Sequence, residues 1–143
     1  MQNPDHISTS EGKGRILVVD DDPAIRESIQ WFLEDEGFSV ETAADGQEAV
    51  NRALQSRPAL IVLDLGLPLL NGEQVADAVR SAYKPFPPIV VVTAGGSIAA
   101  RAARCGAVAY LAKPFDLTKL ADPVVRHMEH PQPQTHPLTT ETD

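Results

Sequence analysis

Four places in this 143-residue chain carry side chains that could do chemistry together. One apolar run ends in Asp20-Asp21-Asp22, another in Asp64, another in Thr93, and the last in Lys113-Pro114. If these runs are parallel strands of one sheet, the loops that follow them converge, and the acids after the first and third strands meet. Two like charges about 4 Å apart cost on the order of 4 kcal/mol at an effective dielectric near 20, so three carboxylates call for a cation. Mg2+ is the natural one, because it is hard, takes oxygen ligands, and keeps waters and open positions for phosphate. The Lys113 ammonium and the Thr93 hydroxyl would both be aimed at an anion held there. Carboxylates, Mg2+, a lysine and a hydroxyl are the groups that stabilise a transferring phosphoryl group.

Taken singly, each residue has a plainer reading. Asp22 before Pro23 is the N-cap of a helix, Asp20 or Asp21 could be a turn acid, Thr93 a strand end, and Lys113 a solvated loop residue. It is their joint placement after four strands of one sheet that those readings do not explain.

The elements that must position them are legible as alternation. Strand-like runs rich in Val, Ile and Leu cover Arg15–Asp20, Ser39–Thr42, Ala59–Asp64, Ile89–Thr93 and Val108–Ala112, and three are almost continuously apolar, as parallel strands buried on both faces are. Between them lie helical spacings. Ile25, Ile29, Phe32 and Leu33 form one face between the Asp22-Pro23 start and the Gly37 stop. Ala49, Val50, Ala53 and Leu54 form a second, Val75 and Val79 a shorter third after Gly72, and Ser97–Arg104 a marginal fourth of eight residues. The last face, Leu117, Leu120, Val124 and Met128, asks for one helix from Asp116, although Pro123 removes a donor and crowds the Lys119 carbonyl. The expectation is one helix bent at Pro123, the alternative being a short turn at 117–121 and a helix that starts at Pro123. Five strands alternating with five helices make an open α/β sheet covered on both faces.

Composition bounds the rest. The 43% apolar content supports one core. One cysteine, Cys105, excludes an internal disulfide framework and reads as core. No run approaches the ~20 apolar residues of a membrane helix, and the start has no signal character, so a soluble, cytoplasmic protein is expected. Segments 1–14 and 131–143 read as disordered tails flanking a domain at 15–130. A net charge of −8 argues against nucleic acid. Residues 15–77 hold 4 basic and 13 acidic side chains, whereas 80–126 hold 7 basic and 2 acidic. The first half suits a cation and the second an acidic partner.

At this point the chain resembles the receiver domain of two-component response regulators. The segments that carry the resemblance are Ile16–Pro23, Leu60–Pro68, Asn71-Gly72, Val90–Ala94 and Gly106–Phe115, over about residues 14–129. The resemblance implies a flavodoxin-like doubly wound (βα)5 fold, with a five-stranded parallel sheet in order 2-1-3-4-5. It implies that Asp64 accepts a phosphoryl group from a histidine kinase or histidine phosphotransfer protein. Asp20, Asp21, Asp64 and the main chain of Gly66 would hold Mg2+, Thr93 with Ala94 and Lys113 would receive the phosphoryl oxygens, and Tyr110 matches an aromatic switch position. It further implies a cis Lys113–Pro114 peptide bond. Such a protein is a phosphoacceptor rather than a turnover enzyme, working through a downstream protein at the 95–126 face or a phosphorylation-dependent homodimer. With no output domain recognisable, a single-domain regulator is expected.

Two departures stand out. Gly66 and Gly95, two residues after Asp64 and Thr93, offer no side chain to the water that would attack a phosphoaspartate. Other classes fit less well. A dehalogenase-type phosphatase needs a second aspartate where Gly66 stands. A nucleotide enzyme lacks its glycine loops, and in a flavodoxin three aspartates would repel the cofactor phosphate. A phosphorylation-independent docking module is the remaining alternative, but it would be expected to have lost an acid or the lysine. His127 and His130 share a helix face without an obvious third metal ligand, and Trp31 falls off its helix's apolar face.

Overall fold

The computed structural model describes residues 14–129; apart from Gly14, the two segments read as tails lie outside the described residues, as does His130. Strands β1 (Arg15–Val19), β2 (Ser39–Ala43), β3 (Leu60–Leu63), β4 (Ile89–Thr93) and β5 (Ala109–Ala112) alternate with helices α1 (Pro23–Asp35), α2 (Gly46–Gln55), α3 (Gly72–Ala82), α4 (Ile98–Cys105) and α5 (Thr118–Glu129). All four strand pairings are parallel, in the order β2-β1-β3-β4-β5. This is the doubly wound sheet expected from the sequence, with strand ends shifted by a residue or so.

The two-residue period of the strands divides the core between the faces of the sheet. Leu17, Val19, Ile61, Leu63, Ile89 and Val91 pack with α2, α3 and α4 on one side. Ile16, Val18, Leu60, Val62, Val90 and Val92 pack with α1 and α5 on the other. Each fully buried aliphatic side chain of this kind stabilises by about 1.5–3 kcal/mol. β1, β3 and β4 are therefore held most firmly, and their carboxyl ends are rigid platforms.

Local signals start the helices. Asp22 caps α1, its side chain accepting from the N–H groups of Ala24 and Ile25. α3 begins with a reciprocal capping box between Asn71 and Gln74, which the Asn-x-x-Gln spacing could have revealed. α5 is one helix, Thr118–Glu129, with Pro123 inside it, so the segment is not split into a turn and a helix from Pro123; at its start Asp116 Oδ1 accepts from the Thr118 N–H and hydroxyl. Burial of Leu120, Val124 and Met128 holds it together across the proline. No helix among the described residues is long and apolar enough to cross a membrane.

Two glycines fix the loop after β3. A Cβ on Gly72 would stand 2.5 Å from the Asp64 carbonyl oxygen and 2.6 Å from Leu65 Cα, and one on Gly46 would overlap the Leu70 carbonyl. Within this loop Leu69 takes φ 72 and is 80% exposed, a left-handed conformation that costs a leucine about 1–2 kcal/mol.

Candidate functional site

Asp20 follows β1 directly and is fully buried, while Asp64 follows β3 and is 4% exposed. Asp21 is exposed. One carboxylate oxygen from each of the three lies within 4.8 Å of the others, and among the described residues no other group of three His, Cys, Asp or Glu could hold a metal. Backbone N–H groups orient the acids: Asp22 donates to Asp20 Oδ1 at 2.9 Å and Gly66 to Asp64 Oδ1 at 3.1 Å. From the end of β5, Lys113 Nζ reaches Asp20 Oδ2 at 2.8 Å and Asp64 Oδ2 at 3.0 Å. The Lys113–Pro114 bond is cis, and so is Lys84–Pro85, which the sequence did not suggest.

Charge is not balanced here. Three carboxylates face one ammonium, and Asp20 Oδ2 is buried without a hydrogen bond of good geometry, its contact with Lys113 being an ion pair only. Burial pushes the Asp20 carboxyl above its ordinary value, against the pull of Lys113 and the Asp22 N–H. For Lys113, burial works against the charged form, but Asp20 and Asp64 outweigh it and hold the ammonium above its ordinary value. A buried, under-satisfied oxygen in an all-oxygen acidic set fits a hard divalent cation.

A proton on Asp20 competes with the cation, so Mg2+ affinity should fall as pH drops through the raised Asp20 value, by up to about tenfold per pH unit. The decline should begin above the ordinary carboxylate value of 3.8. Calorimetric Mg2+ titrations across acidic pH check this; affinity that stays flat down to that value would show that no metal ligand here has a raised carboxyl value.

Other sequence-predicted residues take their places less simply. Thr93 is buried at the end of β4, and its hydroxyl donates to the Ala94 carbonyl at 3.3 Å. Its carbonyl accepts from the Lys113 N–H at 2.9 Å, tying the two strand ends together. Tyr110 is half-exposed on β5. Trp31 is exposed and Cys105 is core, as their positions suggested. A cavity of about 530 Å³ opens beside Lys113, lined by Ile25, Ile29, Ala94, Phe115 and Leu117 among others.

Two residues were missed. Arg26 of α1 donates to the Asp20 carbonyl at 2.9 Å and so anchors the acidic turn. Glu73 of α3 binds Arg101 through two hydrogen bonds and lies 3.6 Å from Arg104, whose side chain stays exposed. Nothing in the local sequence separates Glu73 from an ordinary first-turn acid.

Comparison with known proteins agrees with this geometry. The family model described as the response regulator receiver domain matches residues 16–125. The response regulator MprA of Mycolicibacterium vanbaalenii is 46% identical over 108 residues, 74% of this chain and 46% of its own length. The chain thus spans about half the length of the curated relatives it matches. Among solved structures, the chemotaxis response regulator CheY4 of Vibrio cholerae superposes with a TM-score of 0.71 at 36% identity, covering 79% of this chain and 97% of its own. NtrX of Brucella abortus gives 0.77 at 31% identity, covering 85% of this chain and 28% of its own.

Proposed function

The chain belongs to the response regulator receiver domain family of two-component systems, and from that membership we propose that residues 15–130 form a unit that accepts a phosphoryl group on Asp64. The observation that supports the reading is the grouping of Asp64 with Asp20 and Asp21, carboxylate oxygens within 4.8 Å of one another, beside the Lys113 ammonium at 3.0 Å.

The donor is a histidine kinase or histidine phosphotransfer protein. An Asp64 carboxylate oxygen attacks the phosphorus of its phosphohistidine, the P–N bond breaks, and the electron pair stays on the histidine nitrogen. Such a loose transfer depends on positioning and charge stabilisation. The Gly66 N–H on Oδ1 orients the nucleophile. Lys113 balances charge on the arriving oxygens, and the Thr93 hydroxyl turns from the Ala94 carbonyl to donate to one of them. Asp20, Asp21, Asp64 and the Gly66 carbonyl hold Mg2+, which when bound supplies positive charge to the phosphoryl oxygens. Arg26 keeps the Asp20 turn in place. The setting is the cytoplasm, and the 95–126 face passes the signal to a downstream protein.

The test is direct. Incubation with acetyl phosphate and Mg2+ should add one labile phosphate by intact mass, and chelation of the metal should abolish the gain. An unmodified mass at saturating donor and metal would overturn the reading in favour of a docking module.

A further inference from the structure

The connection from α3 to β4 lies at the amino end of the parallel strands, away from the carboxyl ends that hold Asp64 and Lys113. A cavity of about 660 Å³ opens there, lined by Asp77, Arg80, Ser81, Tyr83, Lys84 and Phe86 among others. Arg57 stands at its rim: Nη2 donates to the Pro85 carbonyl at 3.1 Å, and the guanidinium lies 5.8 Å over the Tyr83 ring. The Tyr83 hydroxyl donates to the Ala53 carbonyl at 2.6 Å, which fixes that ring.

These cations are oriented but not neutralised. Arg80 donates through Nη1 to the Arg104 carbonyl at 2.9 Å, lies 5.4 Å over the Phe86 ring, and keeps Nε buried without a hydrogen bond. Ring faces and carbonyls hold a guanidinium in place yet carry no formal charge to cancel its own. Among the described residues Arg57 meets no carboxylate, and Lys84 has neither a hydrogen bond nor an ion pair from its side chain. Asp77 reaches Arg80 only at 4.0 Å, from a side chain 77% exposed, so that pair is weak. The carboxyl end of α3 adds about half a negative charge. Three full positive charges outweigh both. Elsewhere the arginines are paired, Arg15 and Arg52 with Glu41, Arg101 with Glu73 and Arg126 with Asp122. In a chain with 20 acids against 12 bases, no shortage of carboxylates explains the exception.

We infer that this cavity is a second binding site, for a small phosphate-bearing anion. Arg80 has N–H groups left for a fork of hydrogen bonds, Lys84 supplies a mobile point charge, and the Ser81 hydroxyl is a further donor. Two or three cations match a phosphate dianion better than a single carboxylate. The volume is that of a small-molecule site, and guanidinium groups cover one face of each ring, so the wall offers charge rather than apolar surface. The site does not depend on phosphoryl acceptance at Asp64, and the two readings stand or fall separately.

Titrating the full chain with inorganic phosphate and with glycerol 3-phosphate tests this, in metal-free buffer at constant ionic strength, followed by amide NMR shifts. Both anions should shift the amides of residues 80–84 and Phe86 saturably, with those of Asp64 and Lys113 unmoved. Tighter binding of the ester would identify a phosphorylated metabolite as the ligand, and equal binding free phosphate. Lys84→Gln, an exposed change that leaves the packing intact, should weaken binding roughly fivefold, and Arg57→Gln similarly. Arg126→Gln removes the same charge from α5 and should leave binding unchanged. Three results would each overturn the site: shifts confined to the strand ends at Asp64 and Lys113, equal weakening by Lys84→Gln and Arg126→Gln, or no shift at about 10 mM of either anion.

Discussion

Replacing Asp64 with asparagine is expected to abolish the phosphate gained from acetyl phosphate, while the protein folds and becomes more stable in metal-free buffer. Asparagine keeps the oxygen that accepts from the Gly66 N–H but supplies no nucleophilic carboxylate. It also takes one negative charge from a cluster in which three acids face one ammonium. Partial compensation by Lys113 leaves a net gain of about 1 kcal/mol of the larger repulsion that close carboxylates experience. Urea unfolding with and without Mg2+ measures it. The parent should be stabilised by Mg2+, and Asp64→Asn much less so. Labelling that survives the substitution would move the acceptor elsewhere. Lower stability of the variant in metal-free buffer would show that the Lys113 ion pair outweighs the repulsion.

The second large effect is expected where no chemistry takes place. Gly72→Ala should destabilise the fold by about 3 kcal/mol or more, because the new methyl would meet backbone, which cannot turn aside. Its Cβ would lie 2.5 Å from the Asp64 carbonyl oxygen and 2.6 Å from Leu65 Cα. Relief requires α3 to move away from the end of β3, displacing the Asp64 loop and, through Glu73, α4. Gly46→Ala should act similarly from the other side, through the Leu70 carbonyl. Alanine normally favours a helix over glycine by about 1 kcal/mol, so a loss of stability here isolates the steric term. Denaturant midpoints equal to or above the parent's would show that the helices yield easily and that the packing of this loop is not what positions Asp64.

Much of this protein was determined by its sequence alone. The strands could be read because burial on both faces leaves unbroken runs such as Leu60-Ile61-Val62-Leu63, and the helices because one buried face recurs at helical spacing. The sheet order came from the family resemblance, and the meeting of the strand-end residues from the rule that sites gather at the carboxyl ends of parallel strands. Asp20, Asp64 and Lys113 were thus placed together before any coordinates, since residue type and position at a strand end are local facts. Tertiary structure alone decided how the groups pair. Lys113 divides its ammonium between two acids, and Thr93 turns its hydroxyl onto Ala94. Arg101, one of the seven basic residues counted in 80–126, is engaged by Glu73, 28 residues before it. These pairings depend on the angle between packed helices and on which rotamers the neighbours leave free. Hydrophobic periodicity specifies which face is buried, but not which long polar side chains meet across a contact.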